Sequence, residues 1–222
     1  MMNAYTILVI VHVVLFAYWL GGDWGVYVNA KYVADAKLPL DERRRFLQAS
    51  FRIDLMPRIA FPLLLVVGMQ LAAFHGAWPI VGTFMSAVWI AALAWLAVNV
   101  AGYLRQGTAA GDRLRNVDQS VRMLLAPLLI GVGAWSLIGG APIATLFIAL
   151  KLIVFGCMIV VGLVLRAIMR NWAIGFRRLA TEGPSVAVDE LFQHSLQRAR
   201  YVAYGMWSLS GVMAILGVAK PV

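Results

Sequence analysis

The chain has 222 residues, of which 62% are hydrophobic and 13% charged, with a mean hydropathy of +0.82. Soluble domains are about half apolar and a quarter charged, so this composition excludes a soluble globule and makes lipid the solvent. A net charge of +9 and a pI near 10.2 would point to nucleic acid in a soluble protein. Here the basic residues stand between apolar runs, at the level of lipid headgroups, and nucleic-acid binding is set aside.

The apolar runs approach the ~20 residues that a helix needs to cross ~30 Å of hydrocarbon. They predict an all-α fold, a polytopic transmembrane bundle of about six helices in a single domain over residues 1–222. The spans fall near 4–27, 55–75, 81–104, 123–140, 142–167 and 201–219. The first run has no basic region before it and no Ala-x-Ala site after it, so it is expected to be a true span rather than a leader. Gly139, Gly140 and Pro142 form the only break between the fourth and fifth runs and predict a tight turn. Cys157, the single cysteine, lies inside an apolar run, which leaves no disulfide framework and no cysteine metal motif.

Orientation follows from Lys and Arg, because cytoplasmic connections retain positive charge. The first connection carries Lys31, Lys37, Arg43, Arg44, Arg45 and Arg52; the second carries Arg105, Arg113, Arg115 and Arg122; the third carries Arg170, Arg177, Arg178, Arg198 and Arg200. The opposite connections carry none, and the C-terminus has only Lys220. Both termini are therefore expected outside, in the inner (cytoplasmic) membrane of a bacterium. Residues 36–54 and 183–200 form cytoplasmic amphipathic segments, with stripes such as Phe46, Leu47, Phe51 and Val188, Leu191, Phe192. Such segments are expected to lie as helices at the headgroup level, with docking to a soluble partner as the alternative.

Ionisable groups inside hydrocarbon cost at least ~2.5–3.5 kcal/mol, so each demands a reason. On the first span His12, Trp19 and Asp23 stand at i, i+7 and i+11, within about 20° of one line on a helix, a stripe that must face the bundle interior. His12 suits metal ligation or proton transfer, with simple hydrogen bonding as the alternative; Trp19 suits an interfacial anchor equally well. Asp54 and Arg58 stand at i, i+4 at the cytoplasmic mouth of the second span, either as a solvated cap or as an anion- or proton-entry site. Pro57 suits the first turn of that span, and Pro62 falls inside it. His75 closes the span at the outer side, as an interfacial residue or as a second axial ligand. Lys151 lies about as deep in the fifth span as His12 does in the first, and no acidic residue shares that depth. An anionic cofactor such as haem would balance it, unless the amine snorkels outward. Asn99, Asn116 and Arg166 are assigned no chemistry, and His194 is expected at the surface.

Three stretches together resemble a group of small bacterial membrane proteins, the HemJ-type protoporphyrinogen oxidases and CopD-type copper-resistance proteins. They are His12-Val-Val-Leu-Phe-Ala-Tyr-Trp-Leu-Gly-Gly22, the segment from Arg43 through Met56-Pro57 to Gly68-Met-Gln-Leu71, and Leu150-Lys151-Leu152. The resemblance implies b-type haem on His12 and a functional role for Lys151. The expected function is a b-haem-binding membrane oxidoreductase or electron-transfer protein. His12 and His75 are the candidate metal ligands, Trp19 and Lys151 line the cofactor, and Lys151, Asp23, Asp54 and Arg58 carry the chemistry and its protons. A haem-free transporter, for copper as the CopD likeness implies, and an assembly subunit of a membrane complex remain open as alternatives. The partners implied are the lipid bilayer and a redox partner or complex subunit, with a homo-oligomer left open.

Overall fold

The computed structural model describes residues 3–76, 82–139, 143, 145–183 and 185–220. Its elements are six helices: α1 Ala4–Val33, α2 Leu40–Phe74, α3 Thr83–Leu104, α4 Ala109–Leu137, α5 Leu146–Thr181 and α6 Val186–Ala219. All six are long and apolar enough to cross a membrane, and the chain is a multi-pass membrane protein. Side-chain oxygens of Asn3, Thr108 and Ser185 accept from the first free amides of α1, α4 and α6, and Asp41 and Glu42 place negative charge at the start of α2. The turn expected over Gly139–Pro142 begins at Gly139, whose φ of 81° suits a residue without Cβ; residues 140–142 lie outside the described residues, as does Pro184.

Each helix packs on the next, and α6 returns to α1, giving a ring of six. Inside the ring Phe61 of α2 stacks on Phe155 of α5 at 4.6 Å, within a core that also holds Trp19, Leu64, Trp95 and Ile159. Lipid offers no hydrophobic drive between helices, so close backbone approach takes its place. A Cβ on Gly133 would meet the Ala149 carbonyl oxygen at 2.6 Å, and one on Gly22 would meet Pro57 Cδ at 2.5 Å.

The start of α1 and the end of α6 stand at one end of the ring, the terminal side; the Arg-rich connections stand at the other, the basic side. Asp23, Arg58, Arg122 and Arg166 lie about 23–30 Å from the terminal ends of their helices at ~1.5 Å per residue, close to the thickness of a hydrocarbon layer. Between that level and the terminal ends, Lys151 is the only charged residue in the helices. Past it α1, α2, α5 and α6 continue into a second core built on Val33, Trp172, Leu179, Val188, Phe192 and Leu196.

This second core changes two expectations. Residues 40–54 and 186–200 are the N-terminal parts of α2 and α6 rather than separate headgroup helices, and Leu40, Phe46 and Leu47 share one core with Val188, Phe192 and Leu196. Outside lipid each buried aromatic or aliphatic side chain there contributes roughly 1.5–3 kcal/mol, more than the headgroup layer would give a half-immersed stripe. Arg43 is buried within this unit, its Nε donating to the Val33 carbonyl at 2.8 Å and its Nη1 pairing with Asp189 at 2.9 Å. Pro57 consequently lies mid-helix, not in a first turn.

Candidate functional site

The register of α1 against α2 places the first polar centre. Tyr5 meets His75, His12 meets Gly68, Trp19 meets Phe61 and Gly22 meets Pro57, as expected for antiparallel neighbours. His12 Cε1 stands 3.3 Å from where a Cβ on Gly68 would be, and its Nδ1 is buried without a hydrogen-bond partner. Lys151 of α5 points toward the terminal side, its Nζ lying 3.0 Å from where a Cβ on Gly217 of α6 would stand. On the terminal half, then, His12 of α1 stands against Gly68 of α2 and Lys151 of α5 against Gly217 of α6, each nitrogen group beside a glycine that makes room for it.

Trp19 is buried in the core between Phe16 and Phe61, at ring distances of 6.1 and 5.9 Å. It floors this centre on the basic side and is not at an interface. His75 is elsewhere. Its Nε2 bonds the Tyr5 hydroxyl at 2.9 Å, and by the α1–α2 register it stands seven residues, about 10 Å, nearer the terminal side than His12. The two imidazoles do not converge on a common point. Among the described residues no group of three or more His, Cys, Asp or Glu side chains gathers as a metal site.

A second polar centre crosses the ring at the basic-side level, and all six helices contribute. Asp23 of α1 accepts from Trp207 Nε1 of α6 at 2.8 Å. Arg58 Nε donates to Asp54 at 2.6 Å within α2. Further round, Asp118 of α4 takes Arg122 Nε at 3.1 Å, Arg166 Nη1 of α5 at 2.6 Å and Trp95 Nε1 of α3 at 2.7 Å. The Arg122 guanidinium also lies over the Phe61 and Trp95 rings, at 5.3 and 5.2 Å. Asn99, buried beside this group, donates to the Trp95 carbonyl at 2.9 Å.

The expected residues therefore lie at two depths, His12 and Lys151 on the terminal half and Asp23, Asp54 and Arg58 toward the basic side. The sequence reading missed Asp118 and Arg122, which it left in a connection, and gave Arg166 no chemistry. Their signal was present: Thr108 followed by Asp112 is a helix start, which carries α4 back past both residues and puts Asp118 opposite Arg166 at the same depth. The glycines beside His12 and Lys151 had no comparable signal. Comparison with family models, with curated proteins and with solved structures finds no match to this chain.

An axial haem ligand must present a neutral ring nitrogen that no other group has claimed. His12 fits on that ground, since its Nδ1 is buried and unbonded, and Gly68 leaves the ring the room it occupies against α2. Lys151 fits as the cation for an acid group of the cofactor, there being no acidic side chain at its level among the described residues. His75, held by Tyr5, does not complete a pair with His12.

Proposed function

We propose that the chain is a b-haem-binding integral membrane oxidoreductase or electron-transfer protein of a bacterial cytoplasmic membrane, related to the HemJ-type and CopD-type group that it resembles, with His12 as sole axial ligand. The observation that carries this reading is the buried, unbonded ring nitrogen of His12, which costs ~1–3 kcal/mol unless something binds it. Bound haem would supply one-electron chemistry, its potential tuned by the axial ligand and by burial.

The chain's own residues do the rest. Lys151 balances an acid group at the level of His12. Trp19 and Phe61 close the floor and keep water from the basic side out. Asp23, held by Trp207 and free of any ion pair among the described residues, is the carboxylate that takes and releases a proton on that side. The test is the absorption spectrum of the purified protein, oxidised and dithionite-reduced, beside His12→Ala. A Soret band lost in the variant supports the reading.

One observation favours a second reading, a haem-free permease. Asp23 has no ion-pair partner among the described residues and sits in the seam between α1 and α6, where a transported cation could replace the proton. Uptake that depends on Asp23 in a colourless protein is its signature.

A further inference from the structure

A groove outside both polar centres lies between α2 and α3 at their terminal ends. It has a volume of about 320 Å³ and is lined by Gln70, Ala73 and Phe74 of α2 and by Met85, Ser86 and Trp89 of α3. Its walls are fixed: Trp89 Nε1 donates to Gln70 Oε1 across the two helices at 3.0 Å, and Met85 is buried in a core with Val66 and Ala92. That bond uses the amide oxygen of Gln70 and leaves the amide nitrogen donating to nothing among the described residues. The Ser86 hydroxyl reaches only the Gly82 carbonyl, at a long 3.4 Å. Among the described residues no ionisable side chain lines the groove, and the neighbouring His75 is turned to Tyr5 of α1. Gln70 lies four residues, about 6 Å, from the end of α2, and Trp89 six residues, about 9 Å, from the start of α3, so the groove sits at the rim of the hydrocarbon layer.

Its size is at the small end of the ~300–1,000 Å³ of ligand sites, room for one head group. A site at this depth that offers an unused amide donor, a loosely held hydroxyl, two aromatic side chains and no charge selects a head that is neutral and planar, bears carbonyl acceptors and is carried on an apolar body. We infer that the α2–α3 groove binds a lipid-soluble quinone, its ring beside Phe74 and Trp89, a ring carbonyl accepting from the Gln70 amide nitrogen and its prenyl tail leaving into lipid. A fatty acid or an organic cation meets no counter-charge there, and a water-soluble carbonyl compound lacks the tail. Gln70 stands two residues past Gly68, about 200° round α2 from the residue that faces His12, so the groove and His12 lie on opposite faces of one helix. The inference deepens the electron-transfer reading by naming its partner class and rests on that reading for any exchange of electrons; binding itself makes no use of His12.

The test uses the full-length protein in nanodiscs with an azido-benzoquinone that carries a prenyl tail, photolysed and read by mass spectrometry as label per protein on each peptide. Label is expected on the segments that hold Gln70 and Trp89, and excess unlabelled decyl-benzoquinone removes it, whereas stearate and diacylglycerol in the same excess do not. At limiting probe Gln70→Leu lowers the labelled fraction about fivefold, the loss of one neutral hydrogen bond. Ala73→Trp, which fills the groove, lowers it further in a protein of unchanged helix content, and Leu128→Trp on the exposed face of α4 leaves it as in wild type. His12→Ala keeps the label while losing pigment. A colourless wild type that labels in this way supports the quinone site and removes the haem reading. A pigmented wild type without label on these segments, a label indifferent to Gln70→Leu or to Ala73→Trp, or one displaced equally by diacylglycerol overturns the quinone site.

Discussion

The carboxylate of Asp118 is shared by Arg122 on its own helix and Arg166 on the next, with side-chain exposures of 4%, 9% and 26%. Removing one partner of a buried pair leaves an uncompensated charge and costs on the order of 3–5 kcal/mol. Asp118→Ala is expected to approach that figure, seen as a large fall in thermal midpoint in detergent. Trp95→Phe, which loses one hydrogen bond and keeps the ring beneath Arg122, should cost only about 1–3 kcal/mol. Equal melting of Asp118→Ala and wild type would show that the network contributes nothing.

Gly68 makes a prediction of opposite character. A side chain there must displace the His12 ring, because even a Cβ stands 3.3 Å from Cε1. Gly68→Leu should therefore lower the pigment bound per protein severalfold with little loss of helix content. Normal pigment in a folded Gly68→Leu protein counts against His12 in its observed position.

The basic-side core should be separable from the site. Arg43→Met removes the half-buried ion pair to Asp189 and the buried bond to the Val33 carbonyl, and should cost about 2–3 kcal/mol. The loss is expected locally, as faster amide exchange and protease cleavage within residues 36–54 and 183–200, with the Soret band intact. Uniform destabilisation of the whole chain would mean that the two cores melt as one.

These predictions rest on parts of the molecule that differ in how far the sequence reveals them. The six helices are legible because an apolar run of about 20 residues has few other uses, and the depth match of His12 and Lys151 follows from counting along two such runs. Helix ends are less legible, since hydropathy stops where charge begins while the helix does not: α2 starts at Leu40 and α4 at Ala109, well before their apolar segments. That difference hid Asp118 and Arg122 and made the segment at 36–54 look like a separate element. Which helices are neighbours depends on packing of small residues such as Gly22 and Gly133 and has no signature in one helix alone. For that reason the sequence alone leaves His75 either an interfacial residue or a second axial ligand, whereas the register of α1 on α2 sets it about 10 Å from the level of His12.

Orientation has its own test. Thirteen of the Lys and Arg residues between Lys31 and Arg200 are exposed on the basic side, and the charge rule puts that side in the cytoplasm. Alkaline phosphatase fused after Lys220 should be active, and a fluorescent protein fused at the same place should be dark. The reverse result places both termini inside.

The most direct test of the central claim is the reduced-minus-oxidised absorption spectrum of the purified protein, expressed with haem available, for wild type and His12→Ala side by side. A sharpened Soret band and a b-type α band in wild type, absent from a folded His12→Ala, are the predicted result. A colourless wild type, or a variant with the same spectrum, contradicts it.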